Sequence, residues 1–448
     1  MRLSVFALAV FTGLFITSCK KNNDGPSNPP DENNSIKDSV LLYAKDIYLW
    51  YKNIPDNFNA QSYDDPNAIM EAIRQYSTEP GFSQPVDRWS FAVKQEEWDD
   101  VSSGISGDFG MGIFFFSEND LRVSYVEKES AAGKAGITRS WRIKQINGNS
   151  NISTSNVNFV VNAIYQSASS SIVFTKPSGT DTTITLTAAT YQEHPVYVDS
   201  VYTAGSAKVG YLVLNSFLGD TTEINNRLQQ AFNKFIAQGV TDVAIDLRYN
   251  GGGYVSLQNT LANYLVPAAG NNGIMETEQF NDKYTAFNET INFKKKGSLN
   301  INRVFVVISQ NTASASELLI NSLKPYMNVQ LVGPSNSHGK PVGFFPIPVE
   351  DWYIFPVSFR TVNKNGEGNY FNGFTPNFQI MDGLDRNWGD VNENCLKSIL
   401  KYASTGSYAR AEERSVQAKG LTGDVRNSNS VLGSTKFKGS IDTRRMNK

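Results

Sequence analysis

The chain has 448 residues, of which 40% are hydrophobic and 19% are charged, so it has enough apolar content for two or three globular domains. The 41 basic and 43 acidic side chains nearly cancel, which excludes the basic footprint that nucleic-acid-binding proteins carry. Two histidines and two cysteines are too few for a dedicated zinc centre, and we predict neither a metal nor a cofactor.

The N-terminus has the pattern of a lipoprotein signal peptide. Arg2 precedes an apolar run at residues 3–16, which is too short for a comfortable membrane span. The following I-T-S-C sequence resembles a bacterial lipobox, so we expect residues 1–18 to be removed and Cys19 to be lipidated. The alternative is an ordinary signal peptide with an incidental cysteine. The resemblance implies export, with a lipid anchor on the periplasmic side of a membrane or at the cell surface.

Residues 19–34 are polar and rich in proline and asparagine, which predicts a flexible tether. Apolar residues then recur at helical spacing from Val40 to Tyr51 and again from Ala68 to Ile73. We therefore predict a small helical N-terminal domain at residues 35–95. Its aromatic side chains are more typical of a core than of a ligand site.

Residues 104–190 resemble a PDZ domain. The resemblance lies in the loop formed by Gly110, Met111 and Gly112, in S-A-A-G-K-A-G-I at 130–137 and in I-K-Q-I-N-G at 143–148. A PDZ domain adds an extended peptide to an open sheet edge and holds its carboxylate with backbone N–H groups. The resemblance implies that Gly110, Met111 and Gly112 bind such a peptide. The alternative is a domain of this fold that only braces the rest of the chain.

Strand and helix patterns alternate from about residue 200. Apolar runs predict strands, and helical spacing predicts the helices between them, at 209–214, 224–235, 240–247, 257–265, 304–308 and 329–332. This alternation predicts an α/β core at residues 200–402, with helices covering a sheet. Residues 403–448 are polar and more basic than acidic, so we predict a loosely ordered tail.

One strand-to-helix turn carries the sequence N-T-A-S-A-S-E at residues 311–317. A serine at such a turn has its hydroxyl at a helix N-terminus, where unpaired N–H groups and the helix dipole favour developing negative charge. A lysine in a dry site can lose its proton and act as a base, and serine–lysine pairs are a known variant of the Ser-His-Asp arrangement. Ser314 and Glu317 also form an S-x-x-E capping box, which needs no chemistry.

The turn resembles the T-A-S-A-S-E nucleophile motif of the C-terminal processing proteases, the S41 family of serine peptidases. In that family a G-K pair follows about one helix and one strand later, and Gly339 and Lys340 stand in that place. The resemblance implies that Ser314 is the nucleophile and that Lys340 is its general base.

A second segment, D-L-R-Y-N-G-G-G at residues 246–253, resembles the D-L-R-x-N-P-G-G segment of the same family. Glycine lets the backbone approach closely, as an oxyanion-binding N–H group requires. The resemblance implies that Gly252 supplies one N–H group to the oxyanion and that Ala315, directly after the nucleophile, supplies the other. Without the resemblance, the segment is an ordinary glycine-rich turn between a strand and a helix.

The base segment departs from the family pattern at two points. It carries one extra residue before Gly339, and Phe344 stands where many members have a glutamine that positions the lysine. The resemblance therefore assigns no orienting group. His338 is a rival base that would make a more conventional serine hydrolase, but the G-K alignment favours Lys340.

These patterns predict a multidomain α/β protein with an N-terminal helical domain, a PDZ-like β-rich domain and an α/β serine-peptidase core of the C-terminal processing protease type. The implied function is a serine endopeptidase that cleaves exported polypeptides near accessible, free or unfolded C-terminal ends through an acyl-enzyme. Two alternatives remain. The first is a non-catalytic peptide-binding protein with a degenerate core, and the second is an esterase that uses Ser314 and His338.

Overall fold

The computed structural model describes residues 32–408 and 439–442, with side chains from residue 35 onwards. The signal peptide at 1–18, Cys19, most of the tether at 19–34 and most of the tail at 403–448 lie outside the described residues. Across the two described ranges, no helix combines the length and apolar character needed to cross a membrane.

The N-terminal region is mainly helical. Its elements are α1 (Glu32–Ile47), α2 (Pro66–Ile73), β1 (Phe91–Lys94) and α3 (Gln95–Ser103). Helix α2 begins where the sequence favours a start, because the Asp65 carboxylate accepts from the N–H of Ala68 at 2.8 Å and proline occupies the first helical position. Helix α3 ends at Gly104, whose φ of 75° is a left-handed C-cap.

The N-terminal region shares an apolar core with a later part of the chain. Strand β1 pairs antiparallel with residues 352–355. The shared core includes Ile69 and Trp89 from the N-terminal region, and Val342 and Phe344 from the later part. The region at 35–95 is therefore packed on the rest of the protein through a continuous core.

A β-rich region follows, with a hydrophobic core of its own. Its elements are β2 (Ile105–Ser106), β3 (Met111–Ser117), β4 (Asp120–Val126), α4 (Ala131–Lys134), β5 (Arg142–Ile146), α5 (Val157–Val161), β6 (Ser169–Thr175), β7 (Asp181–Thr187) and β8 (Tyr191–Gln192). Five strands form an antiparallel sheet in the order β3-β4-β5-β6-β7. Strand β3, which begins at the predicted peptide-binding loop, is therefore an edge strand.

The α/β core begins at residue 196. Its elements are β9 (Val196–Ala204), β10 (Ala207–Leu214), α6 (Thr221–Ala237), β11 (Asp242–Asp246), β12 (Gly252–Tyr254), α7 (Val255–Leu265), β13 (Ile274–Phe280), β14 (Glu289–Asn292), β15 (Arg303–Val307), α8 (Ala315–Leu323), β16 (Asn328–Gly333), β17 (Val342–Gly343), β18 (Ile347–Val349), β19 (Trp352–Phe355), β20 (Phe359–Val362), β21 (Phe378–Gln379) and α9 (Asn394–Thr405). Helix α9 extends past residue 402, so the polar tail begins later than predicted. One further strand, β22 (Gly439–Ile441), comes from that tail.

Six strands form the main sheet in the order β21-β16-β15-β11-β10-β9, all parallel except β9 at one edge. Alternate residues of its strands point to opposite faces. Ile245 and Val306 join the core under α6, α7 and α8, whereas Ala244 and Phe305 join the core under α9. Parallel strands end at the same sheet edge, so the segments that follow β11 and β15 meet there.

Candidate active site

Ser314 lies in the turn between β15 and α8, at the N-terminal end of the helix. Its φ of 57° and ψ of −110° place a non-glycine residue at a positive φ, which costs about 1–3 kcal/mol and persists only where the surroundings enforce it. The side chain is fully buried, and its Oγ lies 2.7 Å from Oγ of Ser440. The predicted nucleophile is thus held in a strained, buried turn that aims its hydroxyl at another hydroxyl.

The carboxylate of Glu317 joins the Ser314 turn to the Lys340 segment. Oε2 accepts from the backbone N–H groups of Ser314 at 2.9 Å and Lys340 at 2.8 Å. Oε1 accepts from the N–H of Gly339 at 2.7 Å and from the hydroxyl of Ser337 at 2.5 Å. Burial raises the pKa of the Glu317 carboxyl, and these four hydrogen bonds oppose the rise. The structure therefore brings Ser314 and Lys340 together on one oxygen atom.

Lys340 is 1% exposed, and burial lowers the pKa of its amine well below the ordinary value, against the attraction of Asp87 and Glu317. Its Nζ lies 3.6 Å from the ring centroid of Phe344 and 5.8 Å from the ring of Trp89. Phe344 thus contacts the lysine from the position where the family pattern has glutamine. An amine with a lowered pKa is a stronger candidate for a general base at neutral pH.

The environment of His338 argues against its role as the base. Its Nε2 accepts a hydrogen bond from the indole N–H of Trp89 at 2.9 Å. This bond assigns the ring proton to Nδ1 and occupies the lone pair that a base must offer. The backbone N–H of His338 donates to the carbonyl of Thr312 at 2.9 Å, so the residue stabilises the loop before Ser314.

The predicted oxyanion groups lie close together, but one of them is already engaged. Gly252 has a φ of +107°, and a Cβ placed on it would lie 3.1 Å from the backbone nitrogen of Ala315. The N–H group of Gly252 donates to Oδ1 of Asn250 at 2.9 Å. The site therefore needs the Gly252 amide to turn away from Asn250 before both N–H groups can face one oxyanion.

The predicted peptide-binding loop is partly occupied from within the β-rich region. The N–H of Gly110 donates to Oδ1 of Asp108 at 2.7 Å, and Met111 is 2% exposed. A Cβ at Gly112 would lie 2.1 Å from the ring of Tyr125, which accounts for the glycine there. On the open edge of β3, the N–H of Ile113 donates to the hydroxyl of Tyr165 at 3.1 Å. Peptide binding by Gly110, Met111 and Gly112 stays a prediction.

Two residues of the site have no clear signal in the sequence. The S-x-x-E pattern marks Glu317 as a helix cap, but it does not show that the same carboxylate holds the Lys340 segment. Ser440 lies in the polar tail, where the three residues Gly-Ser-Ile are too few to predict a strand. Only the tertiary structure places its hydroxyl on Ser314.

The chain is similar to known proteins in sequence and in fold. Residues 208–380 match the Peptidase family S41 and residues 35–91 match the Peptidase S41 N-terminal domain. CtpA-like serine proteases of Staphylococcus aureus strain N315 and Staphylococcus epidermidis are 26% identical over 258 residues and 27% identical over 262 residues. Each alignment covers 57% of this chain and 49% of the relative, so the chain matches about half the length of these curated relatives.

Solved structures share the fold. An S41 protease from Bacteroides fragilis superposes with a TM-score of 0.67 at 23% identity, covering 86% of this chain and 100% of that chain. The photosystem II D1 C-terminal processing protease gives a TM-score of 0.50 at 19% identity, covering 84% of this chain and 98% of that chain. The multidomain α/β fold of the C-terminal processing protease type, as predicted, is confirmed. The chain belongs to peptidase family S41.

Proposed function

We propose that the chain is a serine endopeptidase with Ser314 as nucleophile and Lys340 as general base. The observation that carries the proposal is the shared carboxylate of Glu317, whose Oε2 accepts from the backbone N–H groups of both residues. The burial that lowers the pKa of Lys340 supports the same roles, since a base must be neutral before it takes a proton. The family and the curated relatives, which are described as serine proteases, support the reaction class.

The reaction is an acyl transfer. Lys340 Nζ takes the proton of the Ser314 hydroxyl as Oγ attacks a peptide carbonyl, and the oxyanion receives the N–H groups of Ala315 and Gly252. The lysine then gives its proton to the leaving amine. Water, activated by the same lysine, hydrolyses the acyl-enzyme and returns Ser314 to its starting state. Loss of one oxyanion donor costs about 2.7–4 kcal/mol of barrier in comparable sites.

The proposed substrates are exported polypeptides with free or unfolded C-terminal ends. The edge strand β3 and the loop formed by Gly110, Met111 and Gly112 are the proposed place where such an end binds. A cavity of about 150 Å³ is lined by Met111 and Tyr125 from the β-rich region and by Leu218 and Gly251 from the core. Its lining by residues from both regions supports a path for the peptide between the loop and the segment that contains Gly252. Lipidation of Cys19 would keep the enzyme at a membrane.

The test is cleavage of an unfolded protein, followed by mass spectrometry, with wild type, Ser314→Ala, Lys340→Ala and His338→Ala. We expect activity to disappear with the first two variants and to remain with His338→Ala. Activity of the wild type should rise with pH as Lys340 loses its proton. A flat profile between about pH 5 and pH 9 contradicts this base.

Two outcomes lead to the alternatives. Ester cleavage that survives Lys340→Ala but not His338→Ala indicates an esterase with a histidine base. Tight peptide binding without acylation of Ser314 indicates a peptide-binding protein with a degenerate core, for which the engaged N–H group of Gly252 is the specific supporting observation.

A further inference from the structure

A segment of the chain's own tail, Gly439–Asp442, lies in the groove beside the nucleophile. Its strand β22 pairs in parallel with β12, the strand that begins at the predicted oxyanion glycine. The paired residues are Gly252 with Gly439, Gly253 with Ser440, and Tyr254 with Ile441. Both strands are buried at the first two of these positions.

Backbone hydrogen bonds hold the segment from two sides. On the β12 side, the N–H of Gly439 donates to the carbonyl of Gly251 at 3.1 Å. On the other side, the N–H of Phe344 donates to the carbonyl of Ser440 at 3.1 Å, and the N–H of Asp442 donates to the carbonyl of Phe344 at 3.4 Å. The segment therefore binds as an added strand, which is a common mode of peptide recognition.

The side chains of the segment match the groove. Ser440 places its hydroxyl 2.7 Å from the Ser314 hydroxyl. Ile441 is 1% exposed and packs in the apolar core that contains Leu218 and Phe344. The absence of a side chain at Gly252 leaves room for the segment, because a Cβ there would lie only 2.4 Å from the Gly439 carbonyl oxygen.

We propose that Gly439–Asp442 is a self-bound occupant of the catalytic groove and competes there with substrate. The proposal rests on the proposed function of Ser314 as nucleophile. It also defines the peptide that the groove accepts: an extended strand that pairs with β12 and buries a β-branched aliphatic residue at the position of Ile441.

The geometry is that of an inhibitor. The hydrogen-bond partner of Ser314 Oγ is the side-chain hydroxyl of Ser440, which offers no carbonyl carbon to attack. The carbonyl of Ser440 is held by the N–H of Phe344. A substrate can reach Ser314 only after this strand leaves. Because the segment is covalently attached to the enzyme, its effective concentration in the groove does not fall on dilution.

The first experiment compares wild type, Ile441→Asp and Ile441→Val in the full chain. The aspartate places a charge in an apolar pocket and should expel the strand, whereas valine keeps a β-branched side chain there. We expect Ile441→Asp to raise kcat/KM for a peptide substrate by about tenfold or more through a lower apparent KM, with kcat unchanged. Ile441→Val should stay within about twofold of wild type.

A binding measurement separates this proposal from the proposed function. A fluorescent peptide with the sequence of residues 436–445 should bind Ile441→Asp at least about tenfold more tightly than wild type, measured by anisotropy. The same peptide with aspartate at the isoleucine position should bind neither protein. This difference supports self-occupancy even if no variant cleaves anything, an outcome in which only the proposed peptidase function fails.

Two results overturn the proposal. One is equal peptide affinity and equal kcat/KM for wild type and Ile441→Asp, with both proteins active, which leaves the proposed peptidase function standing. The other is a wild-type protein that loses residues 440–448 on incubation while its Ser314→Ala variant does not. That result would show that the segment is consumed as a substrate.

Discussion

The structure buries charged side chains in two clusters. In one cluster the buried groups stay charged, whereas in the other burial favours the neutral form of a lysine. The arginine cluster contains Arg139, Arg248, Asp246, Asp382 and Glu393. The second cluster, which we call the catalytic cluster after its proposed role, contains Ser314, Glu317 and Lys340. Both are almost completely removed from water, so the contrast between them lies in the partners that each charged group meets.

In the arginine cluster, each guanidinium meets carboxylates at hydrogen-bond distance. Arg248 bonds Asp382 at 2.7 Å, Glu393 at 2.8 Å and Asp246 at 2.5 Å. Arg139, from the β-rich region, bonds Asp382 as well. These arginines lower the pKa of the Asp382 and Glu393 carboxyls although burial opposes the change. Paired charges therefore remain charged when they are buried.

In the catalytic cluster, burial has the larger effect on the pKa of the lysine. Four neutral donors occupy the carboxylate of Glu317, and the lysine amine lies over the ring of Phe344. The attraction of Asp87 and Glu317 does not offset the loss of hydration, and the pKa of Lys340 falls. Burial alone therefore does not decide protonation. The guanidinium groups lower the pKa of the carboxyls by more than burial raises it, whereas for Lys340 the effect of burial exceeds the attraction of Asp87 and Glu317.

The largest effect is expected from Glu317→Gln. The amide keeps the shape but replaces one acceptor oxygen with a donor that faces two N–H or O–H groups, each costing about 1–3 kcal/mol when left without a partner. Because the Ser314 and Lys340 segments then lose their common acceptor, kcat/KM should fall at least about 100-fold. Steady-state kinetics and urea unfolding measure the two effects.

Ser337→Ala is the matched control for that variant, since it removes one of the four donors and leaves the carboxylate in place. Its cost should be near 1 kcal/mol. If Glu317→Gln retains activity within threefold of wild type, the shared carboxylate does not position the two residues.

The next effect is expected from Arg139→Ala in the arginine cluster. This change leaves Asp382 with one guanidinium fewer in a dry site and should lower the free energy of unfolding by about 3–5 kcal/mol. Urea denaturation measures the loss. Arg142→Ala is the control, because its side chain is 51% exposed and its pair with Asp120 should contribute less than about 1 kcal/mol. Equal losses of unfolding free energy in the two variants would contradict the prediction that the buried ion pair contributes more to stability than the exposed one.

Lys340→Met tests the catalytic cluster, where loss of the buried ionisable group should raise the free energy of unfolding at neutral pH. The folded-state pKa of Lys340 lies below the unfolded value of 10.5, so between these two values the unfolded chain binds more protons. Wild-type stability should therefore rise with pH in this window, by about 1.4 kcal/mol per pH unit from this group. The methionine variant should lack this slope and be more stable than wild type at neutral pH.

Urea denaturation at several pH values between about 7 and 10 measures that slope. Lys52→Met is the control, since the side chain of Lys52 is 65% exposed and its hydrogen bond to Asp282 raises the pKa of the amine instead of lowering it. A wild-type slope identical to that of Lys340→Met contradicts a lowered pKa for Lys340.

The smallest effect is expected from Phe344→Leu. The leucine keeps the site apolar but removes the aromatic face, which favours the protonated amine by about 0.5–2 kcal/mol. The pKa of Lys340 should fall further, so the pH midpoint of kcat should move down by about 0.4–1.5 units. A pH–rate profile at saturating substrate measures the shift. Phe345→Leu, at the half-buried neighbouring position, should leave the midpoint unchanged.

Much of the α/β core could be predicted because its signals are local. The apolar run before Ser314 forms β15, and the S-x-x-E pattern marks the start of α8. The parallel order of β11 and β15 then brings residues 246–253 and 308–314 to one sheet edge. The boundaries were less accurate: α1 begins within the predicted tether, and α9 continues into the predicted tail.

Three features follow from short stretches of the amino-acid sequence: the strand-to-helix turn at Ser314, the glycine-rich turn at Gly252 and the family to which the chain belongs. Those features depend on residues close together in the chain. Three others depend on how the chain folds: the lowered pKa of Lys340, the hydrogen bond from the Gly252 N–H to Asn250 and the contact between the hydroxyls of Ser440 and Ser314. Hydration and hydrogen-bond partners depend on which distant segments meet in space, and local sequence patterns do not predict those contacts.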